Sequence, residues 1–569
     1  MNFNKYWLLQ SKLLTWFNKP SIAFKKNKNN SCDWFPDGKL NVYHNCVTKN
    51  IESGLGNKIA IYCINKKKEI KKYTYNQIDR MVCLFVLNLN KNIKKNKKKI
   101  KVMIHASSSI ESAIAMLACS KLGYHFSVIF EDLADEAIRT RINLFKPDIF
   151  FSKINKKFKK NISTKTIFTH FEKNYLKKNT YQLSNKIIGS KNELFTLFTS
   201  GSTGVPKGVV HSTGGYLLYS KYTCKLQFGM NKNSIVLTAS DAGWINGHTY
   251  ALFGPLSFGA TTVLIESPML LLDSNLLKKI LNLKISILYL PVTLIILIKA
   301  VSGKIFFQTK HLKTLGSMGE PLAPSIANWF AKHFTNKNKS IVNTYFQTET
   351  AGIISSPTYK ESSIKCPHGS VGKTISKYVK LNKLSKNEKK EIKIEKPWPG
   401  CMVKIINGPK EWNKYWDKNN NFRLFDLATM KKKNIYVHGR VDDVINIRGH
   451  RIGSEEIEST VLKITQINEC CAISVLDDLE GFAIYLFVVS KKNNLNKLIS
   501  DNLISNFGTF ALPKKIYYLT ELPKTRSGKI LRRLLRSITI DPNSKNYGDL
   551  TTILNSNIIE EIKYKVKNA

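Results

Sequence analysis

Residues 199–208 combine the residue types that bind a polyphosphate. The segment reads Thr-Ser-Gly-Ser-Thr-Gly-Val-Pro-Lys-Gly and carries one cation, Lys207. In such a loop the backbone amides and hydroxyls form a concave array of donors, and the ammonium group adds a point charge. A Walker A loop requires Ser or Thr after the lysine, whereas Lys207 is followed by Gly208. The segment therefore predicts a nucleotide-phosphate loop of another kind, rather than a Gly/Ser surface turn.

Arginine is rare in this chain and unevenly distributed. Seven of the 11 arginines fall between residues 440 and 536, although lysine supplies most of the positive charge elsewhere. A guanidinium group can bind phosphate or carboxylate through two parallel hydrogen bonds, which an ammonium group cannot do. The clustering indicates that the C-terminal part also contacts an anion. The seven are Arg440, Arg448, Arg451, Arg526, Arg532, Arg533 and Arg536.

Strands and helices must position these residues, and the first 440 residues alternate between the two. Apolar segments of strand length are each followed by segments with helical spacing. This alternation favours an α/β fold with mainly parallel sheets. Strands are predicted at 101–105, 124–130, 194–198, 234–238, 261–265, 285–290 and 341–345, and helices at 110–122 and 131–144. Residues 151–192 are polar and poorly periodic, so loops at the periphery are expected there.

The pattern changes past about residue 440. A short helix is predicted at 455–464, with Ser454 as its N-cap and two glutamates in its first turn. Strands are predicted at 471–475, 482–489 and 515–519. These elements are enough for a small α+β module.

Length and composition exclude several classes of protein. Of 569 residues, 43% are hydrophobic and 23% are charged, as in an ordinary multidomain globular protein. That composition excludes a disordered tail, a fibre and a membrane channel. No apolar run reaches the roughly 18 residues that a transmembrane helix needs. The best candidate, 285–298, is short and contains Pro291. We expect a soluble protein without a membrane partner.

The net charge of +49 has two interpretations. It could reflect a polyanionic partner, because lysines that neutralise phosphates drive non-specific nucleic-acid binding. It could instead reflect compositional drift, since Lys, Asn and Ile are abundant together. The lysines lie in runs along the whole chain, whereas a nucleic-acid surface would concentrate charge with arginine and aromatic residues. We therefore favour drift and expect no specific nucleic-acid partner.

The ten cysteines are scattered and lack the spacing of a zinc site. They favour a reducing compartment, so a cytoplasmic location is expected. The N-terminal segment 1–20 has no continuous apolar region or small-residue cleavage site, which argues against a secretory signal. An organelle transit signal stays open.

Segment 199–208 resembles the phosphate loop of the adenylate-forming superfamily, which includes acyl-CoA synthetases, peptide-synthetase adenylation domains and luciferases. Eight further segments match the superfamily in order along the chain. They are 34–41, 243–248, 319–321, 344–350, 396–400, 439–445, 449–451 and 522–529. Residues 211–216 and 396–400 resemble the acetyl-CoA synthetase branch in particular.

This resemblance implies an acetate–CoA ligase reaction in two halves. A carboxylate attacks the α-phosphorus of ATP to give acyl-AMP and diphosphate, and the thiolate of coenzyme A then displaces AMP. The first step brings one anion onto another, so it requires positive charge and a metal ion. The resemblance makes Lys529 the catalytic lysine and Glu349 the ligand of Mg²⁺. ATP, Mg²⁺ and coenzyme A are the expected cofactors.

The resemblance also implies an ATP site. The phosphates would be contacted by the phosphate loop and Thr348, and the adenine would be lined by 319–321 and 343–344. Asp426 would accept hydrogen bonds from both ribose hydroxyls. Arg440 would add a contact to the ribose, and Arg451 one to the phosphates. The expected ATP-binding residues are Thr199, Ser200, Gly201, Ser202, Thr203, Gly204, Lys207, Gly319, Glu320, Pro321, Asn343, Thr344, Tyr345, Phe346, Gln347, Thr348, Asp426, Arg440 and Arg451.

By the same resemblance, Asp442 is the hinge between two domains, so the domains are expected at 1–441 and 442–569. We predict an α/β protein whose large N-terminal domain has mixed, mainly parallel sheets flanked by helices, with a small mobile C-terminal α+β domain. That domain rotates between the half-reactions. Coenzyme A contacts are implied for Asn246, Arg448 and Gly449, and an acyl pocket for Trp244, Ile245, Met318 and Phe346.

Several positions depart from the family pattern. Acetate-specific relatives usually have tryptophan where this chain has Phe346, so propionate could compete with acetate. Residues 151–192 lack an Arg-Gly-Gly-Lys pattern that helps to bind coenzyme A, and 504–506 lack an expected basic residue. Phe425 stands where the family has glycine. The remaining alternative is a decayed basic protein that binds nucleic acid. The sequence leaves open a monomer or small homo-oligomer, and regulation by acetylation of Lys529.

Overall fold

The computed structural model describes residues 2–91, 99–133, 135–154, 183–199, 206–320, 322–335, 341–361, 365–406, 408–441, 444–447, 450–477, 481–525, 528–544, 546–547, 550 and 553–568. Two large sheets dominate the part before residue 440. Both are mainly parallel, as the alternation of strands and helices predicts.

The first large sheet has six strands. Three of its five pairs of neighbouring strands are parallel. The two antiparallel pairs are the hairpin on either side of the phosphate loop and the pair at the edge next to it. Strand His125–Ile129 is buried at all five positions, as expected for a strand covered on both faces. In spatial order the strands are Lys404–Ile405, Lys207–Ser212, Glu193–Thr199, His125–Ile129, Lys101–His105 and Ile149–Ser152.

The second large sheet has seven strands, all parallel except the pair at one edge. Its carboxyl ends include Met318, which leads into the predicted adenine segment. Ligands of parallel sheets bind outside the carboxyl ends of the strands, so this edge is where a nucleotide is expected. The order is Val342–Asn343, Thr314–Met318, Ile287–Pro291, Ile235–Thr238, Thr261–Ile265, Ile59–Ile64 and Ile70–Thr74.

Smaller sheets complete this part of the chain. An antiparallel three-stranded sheet, in the order Lys390–Ile394, Phe422–Lys431 and Asn434–Arg440, carries Asp426 and Arg440. Three two-stranded pairs join Phe24–Lys26 to Cys32–Trp34, Lys39–Leu40 to Ile188–Gly189, and Ser355–Ser356 to Lys373–Thr374.

The helices cover the sheets and begin and end at recognisable caps. Helix Ile110–Leu122 starts with a capping box between Ser109 and Ser112 and ends at Gly123, which has a left-handed conformation. The other α-helices before residue 440 are Phe3–Ser11, Tyr75–Lys91, Asp135–Phe145, Thr213–Phe228, Ile245–His248, Gly254–Ser257, Ser274–Leu281, Val292–Ser302, Pro324–Phe334 and Pro409–Asn413. Shorter π and 3₁₀ turns occur at His44–Thr48, Ile51–Leu55, Thr249–Phe253, Pro268–Leu272 and Thr348–Thr350.

The C-terminal part is α+β and has apolar clusters of its own. The buried residues of these clusters all lie between Ile457 and Ile562. Its sheets are the pair Val444–Ile447 with His450–Gly453, and the three strands Ile467–Asp477, Gly481–Ser490 and Pro513–Leu519. Its helical segments are Ser454–Val461, Asn496–Phe507, Thr509–Ala511, Arg532–Ile540 and Ile558–Lys567.

The predicted fold class is confirmed, and most predicted elements agree with the structure. Strand 101–105 and helix 110–122 have the predicted bounds. The helix expected at 131–144 begins later, at Asp135, because Glu131 is held by Ser107 and Lys66. Ser454, predicted as the N-cap that precedes the helix, is instead the first residue of that helix. Much of 151–192 lies outside the described residues.

Two further expectations concern the whole fold. Within the described ranges, no helix is both long and apolar enough to cross a membrane. All ten cysteines are free thiols with buried side chains.

Candidate active site

The phosphate loop closes a β-hairpin. Strands Glu193–Thr199 and Lys207–Ser212 pair antiparallel, and Thr199 lies directly opposite Lys207. The structure therefore fixes both ends of the loop, whereas the predicted residues Ser200, Gly201, Ser202, Thr203 and Gly204 lie outside the described residues. Among the described atoms, the buried Thr199 hydroxyl has no hydrogen-bond partner. A free hydroxyl at the end of a glycine-rich loop suits a phosphate oxygen.

Lys207 and Glu349 form a buried ion pair. Lys207 Nζ lies 3.2 Å from Glu349 Oε1, and the two side chains are 18% and 9% exposed. Tyr415 completes the group, because it donates to Glu349 Oε1 at 2.6 Å and accepts from Lys207 Nζ. Burial raises the pKa of Glu349, but Lys207 and Tyr415 outweigh burial, so the pKa lies below its ordinary value. An ionised, buried carboxylate beside a phosphate loop fits a hard cation such as Mg²⁺.

A 3₁₀ turn, Thr348–Thr350, presents Glu349 to the hairpin. Gln347 caps the turn by reciprocal hydrogen bonds with Thr350. On the far side, His211 Nε2 lies 2.7 Å from the Thr348 carbonyl oxygen, and Met402 donates its N–H to the Glu349 carbonyl. Burial lowers the pKa of His211 to about 4, so the ring is neutral near pH 7 and Nε2 donates to the carbonyl. The turn is thus fixed from both sides.

Asp426 sits in the three-stranded sheet with its carboxylate held by neighbours. Its Oδ2 accepts hydrogen bonds from Tyr345 Oη at 2.7 Å and Gln347 Nε2 at 2.6 Å, while Arg440 lies 3.7 Å from Oδ1. Burial raises the pKa of Asp426, opposed mainly by Arg440. The structure therefore brings four predicted ATP-site residues together, and they suit the recognition of ribose hydroxyls.

Phe425, where the resemblance implies glycine, has a backbone conformation that favours glycine. Its φ of 57° lies in the left-handed region, which is costly for a residue with a side chain. The ring packs against the edge of Tyr415, with centroids 5.4 Å apart, and below the guanidinium groups of Arg423 and Arg440. Aromatic and cation contacts therefore offset backbone strain and provide a platform for Arg440.

The adenine segment begins where strand Thr314–Met318 ends. Gly319 is exposed and has φ +91°. Burial raises the pKa of the next residue, Glu320, to about 7, although Arg532 and Lys529 oppose it. Pro321 lies outside the described residues.

The side chains of Asn343 and Thr344 are already engaged with the protein. Asn343 accepts from Ser317 Oγ at 3.0 Å and donates to the Ser370 carbonyl at 3.0 Å. Thr344 Oγ1 donates to the Ser317 carbonyl at 2.8 Å and lies 2.6 Å from Tyr289 Oη. These contacts tie the ends of neighbouring strands together beneath the adenine segment.

The predicted acyl-pocket residues lie in or against three packing clusters. Met318 is buried beside Tyr250, and the Phe346 ring meets Tyr250 edge-on with centroids 5.6 Å apart. Ile245 is buried in the main core, against which Phe346 also packs. Trp244 instead packs on Phe130, at 5.2 Å between centroids. Phe346 therefore links the pocket positions Met318 and Ile245, while Trp244 lies against a separate cluster.

Asn246 is the second residue of the short helix Ile245–His248, and Trp244 precedes that helix. Its Oδ1 is buried and has no hydrogen-bond partner among the described atoms. Of the other predicted coenzyme A and hinge residues, Arg448, Gly449 and Asp442 lie outside the described residues. Arg451 belongs to strand His450–Gly453, but its side chain lies outside the described part.

Lys529 follows a tight turn of the C-terminal part. Thr525 closes the turn, because its backbone pairs with Lys529 and its hydroxyl accepts from the Lys529 amide at 3.1 Å. Gly528 has φ +84°, and a Cβ there would lie 2.3 Å from Thr293 Oγ1 on helix Val292–Ser302. Lys529 itself is exposed. Its charge nevertheless opposes the rise that burial causes in the pKa of Glu320 and of Asp426. The lysine therefore lies on the nucleotide side of the C-terminal part.

Two residues of this site were not found from the sequence. Tyr415 stands in an aromatic stretch with Trp412 and Trp416, and its spacing carries no sign of a role beside Glu349. Thr293 is an ordinary helix residue until the fold places it against Gly528.

Known protein families match almost the whole chain. Residues 50–412 match the AMP-binding enzyme family, residues 456–529 match the AMP-binding enzyme C-terminal domain, and residues 1–46 match the acetyl-coenzyme A synthetase N-terminus. Among similar curated proteins, acetyl-coenzyme A synthetase of Coprinopsis cinerea is 31% identical, over all of this chain and 93% of its own length. The synthetases of Leptospira biflexa and Helicobacter pylori strain P12 are 31% and 30% identical, over 98% and 99% of this chain and 93% of each relative.

Solved structures share the fold at lower sequence identity. Acetoacetyl-CoA synthetase from Streptomyces lividans superposes with a TM-score of 0.83 at 15% identity, over 99% of this chain and 92% of that one. The anthranilate CoA ligase AuaEII, in complex with anthranoyl-AMP, gives a TM-score of 0.74 at 19% identity, over 88% of this chain and 97% of that one.

Proposed function

The chain belongs to the AMP-binding enzyme family, in its acetyl-coenzyme A synthetase branch, and we propose that it joins acetate to coenzyme A with ATP. It is an ATP-dependent, AMP-forming acid–thiol ligase. The products are acetyl-CoA, AMP and diphosphate. The single observation that carries this proposal is the full-length match to acetyl-coenzyme A synthetases, beginning with their N-terminal module.

The geometry supports the first half-reaction. Lys207 and the Thr199 hydroxyl flank the loop for the β- and γ-phosphates, and Asp426 accepts the ribose hydroxyls. Glu349 would hold Mg²⁺, which neutralises phosphate charge when bound. Lys529 bridges the acetate carboxylate and the α-phosphate, because its ammonium group stabilises the charge that develops as the oxygen attacks phosphorus. The bond to the α-phosphorus forms as diphosphate leaves.

The second half-reaction requires a different arrangement of the C-terminal part. The coenzyme A thiolate attacks the acetyl carbonyl carbon, and AMP leaves with the electron pair. We propose domains at 1–441 and 442–569 joined at Asp442, with rotation that withdraws Lys529 and brings Gly449 towards the thiol. The separate apolar clusters of the C-terminal part support such a rotation.

We propose further that the protein acts in the cytoplasm as a monomer or small homo-oligomer, without a specific nucleic-acid partner. Lys529 is exposed at the end of its turn, so a lysine acetyltransferase could reach it. Acetylation would remove the charge on which adenylation depends.

Exchange of labelled diphosphate into ATP tests the proposal directly. We expect exchange that requires acetate and is lost in Lys529→Ala. In Gly449→Leu we expect exchange to persist while coenzyme A-dependent product formation falls. Absence of exchange with acetate, propionate and butyrate would overturn the proposal.

Propionate is the second candidate substrate, favoured by Phe346. The Phe346 ring is smaller than the indole usual in acetate-specific relatives, and it meets the Tyr250 ring edge-on. One methylene group in such a pocket is worth roughly 1–3 kcal/mol. If Phe346 sets the pocket depth, Phe346→Trp should lower kcat/KM for propionate by about tenfold or more relative to acetate. An unchanged ratio would show that another residue sets the limit.

A further inference from the structure

Tyr415 connects the two charged side chains on which nucleotide binding depends. The Lys207 ammonium donates to the Tyr415 hydroxyl oxygen, and that hydroxyl donates to Glu349 Oε1 at 2.6 Å. The direct distance between Lys207 Nζ and Glu349 Oε1 is 3.2 Å. The three polar groups therefore form a continuous chain from the phosphate hairpin to the predicted ligand of Mg²⁺.

The surroundings of Tyr415 leave its hydroxyl little freedom. The ring is 3% exposed and stacks on Phe422, with centroids 5.5 Å apart and planes 25° apart. Phe425 contacts it edge-on at 5.4 Å. The backbone is also fixed, because the Tyr415 carbonyl accepts from the Arg423 amide at 2.8 Å. A ring held on two sides fixes the position of its oxygen, so the hydroxyl is a preorganised donor.

The two partners of Tyr415 have different tasks when ATP binds. Lys207 is a flexible ammonium group that must turn to the phosphates. Glu349 must stay in place with its second oxygen directed towards a cation. A neutral hydroxyl can hold the carboxylate without competing for the cation, whereas a lysine paired with it adds a repelling charge. Outer partners of this kind fix the orientation of metal ligands.

We propose that Tyr415 is a positioning residue that keeps Glu349 oriented for the divalent cation while Lys207 is released to the phosphates. This inference rests on the proposed function, since it concerns the same nucleotide site. The hydroxyl is the active part, and the ring only places it.

Tyr415→Phe isolates the hydroxyl, because it retains the ring and its packing. The readout is Mn²⁺ binding by electron paramagnetic resonance, with full-length protein and α,β-methylene ATP, in which the reacting phosphate bond cannot break. We expect the dissociation constant of Mn²⁺ to rise about tenfold. Tyr75→Phe is the matched control, since its buried hydroxyl donates to the Ala260 carbonyl at 2.7 Å away from Lys207 and Glu349. It should bind Mn²⁺ like the unmodified protein, with thermal unfolding recorded for both variants.

A double-mutant cycle supplies a second measurement. In a Glu349→Gln background the hydroxyl has no carboxylate to orient, so Tyr415→Phe should weaken Mn²⁺ binding no further. In the exchange assay, Tyr415→Phe should raise the KM for Mg²⁺ while leaving the KM for acetate unchanged. Mn²⁺ binding by Tyr415→Phe within about twofold of the unmodified protein would overturn the inference. Exchange absent from the unmodified protein would instead overturn the proposed function, and the two failures are therefore distinct.

Discussion

Lys207 and Lys529 are both proposed to carry positive charge to the nucleotide, but the molecule holds them in different ways. Lys207 is buried, pairs with Glu349 and lies over the Tyr415 ring, 5.0 Å from its centroid. Lys529 is exposed, and the described contacts that hold it belong to its backbone turn. The backbone turn that precedes Lys529 contacts the N-terminal part of the chain where Gly528 approaches Thr293.

This difference matches the proposed roles of the two regions. The AMP part of the nucleotide would stay bound through both half-reactions, so the residues around it benefit from a fixed, buried arrangement, while diphosphate leaves the Lys207 side after adenylation. The proposed role of Lys529 is confined to adenylation, after which it must leave. Lys529 is exposed and held through its backbone turn, so it can leave the site without breaking a buried ion pair.

The largest expected effect comes from Lys529→Ala. Loss of a preorganised charge at the transition state costs roughly 10²–10³-fold in rate. Diphosphate exchange should fall by that factor, whereas formation of acetyl-CoA from supplied acetyl-AMP should be almost unchanged. Lys497→Ala, at another exposed lysine of the C-terminal part, is the control and should leave both rates intact. Equal loss of both half-reactions would show that Lys529 is not specific to adenylation.

The next effect should come from Gly528→Ala. The new Cβ would lie 2.3 Å from Thr293 Oγ1, so the lysine turn can no longer dock closely. Overpacking of this kind costs about 1–3 kcal/mol, which predicts a fall of about 10- to 100-fold in the exchange rate. Acetyl-CoA formation from acetyl-AMP should be spared.

A matched variant separates the collision from backbone strain. Gly54 has φ +82°, close to the +84° of Gly528, but no atom would lie within 4 Å of its Cβ. Gly54→Ala should therefore lower stability alone and leave exchange by the folded protein unchanged. Thr293→Gly combined with Gly528→Ala should restore part of the exchange, because it removes the Thr293 Cβ, 2.6 Å from the new Cβ, together with Oγ1. If it does not, the contact with Thr293 is not what limits docking.

A smaller effect is expected at Phe425, on the rigid side of the comparison. Phe425→Ala keeps the left-handed backbone and loses the ring contacts, whereas Phe425→Gly loses the ring but relieves the strain. The free energy of unfolding should be about 1 kcal/mol higher for the glycine variant than for the alanine variant. Urea denaturation measures this difference. Both variants should raise the KM for ATP, because Arg440 loses its platform, and unchanged values would contradict that role.

The last prediction is a pH dependence at Glu320, where the two regions meet. Burial raises the pKa of its carboxyl from 4.5 to about 7. Between these pH values the folded chain binds the proton more strongly than the unfolded chain, so the free energy of unfolding falls as pH rises. Glu320→Gln should lack this contribution, and denaturation from pH 4.5 to 7 would detect the flatter profile. Glu388→Gln, at an exposed glutamate, should keep the slope of the unmodified protein.

Local patterns were sufficient to predict some of the elements of the fold. Helix 110–122 follows from its apolar spacing, its serine cap and Gly123, which are all close in sequence. The strand expected at 341–345 is only Val342–Asn343, because Tyr345 pairs antiparallel with Ser355 instead of continuing along the sheet. Such pairing depends on residues outside the segment and cannot be read from the segment alone.

The candidate site divides in the same way. Lys207 stands in a segment whose glycines, hydroxyls and single cation are recognisable in the sequence, whereas Glu349 and Asp426 were expected only from the resemblance to a known family. Tyr415 contacts Glu349, 66 positions earlier in the chain, and Lys207, 208 positions earlier. Only the folded chain brings these residues into contact. Residues that orient the reacting groups were therefore harder to predict than the groups themselves.

The burial of all ten cysteines has a practical consequence for measuring the motion proposed for the C-terminal part. Thiol reagents attack the thiolate, and burial raises the pKa of thiols such as Cys32 to about 12. Maleimide dyes should therefore leave the native protein largely unlabelled. A pair of cysteines introduced at the exposed positions Lys304 and Lys497 would then carry a donor and an acceptor fluorophore with little background. The wild-type thiols need not be removed to follow the distance between them in single molecules.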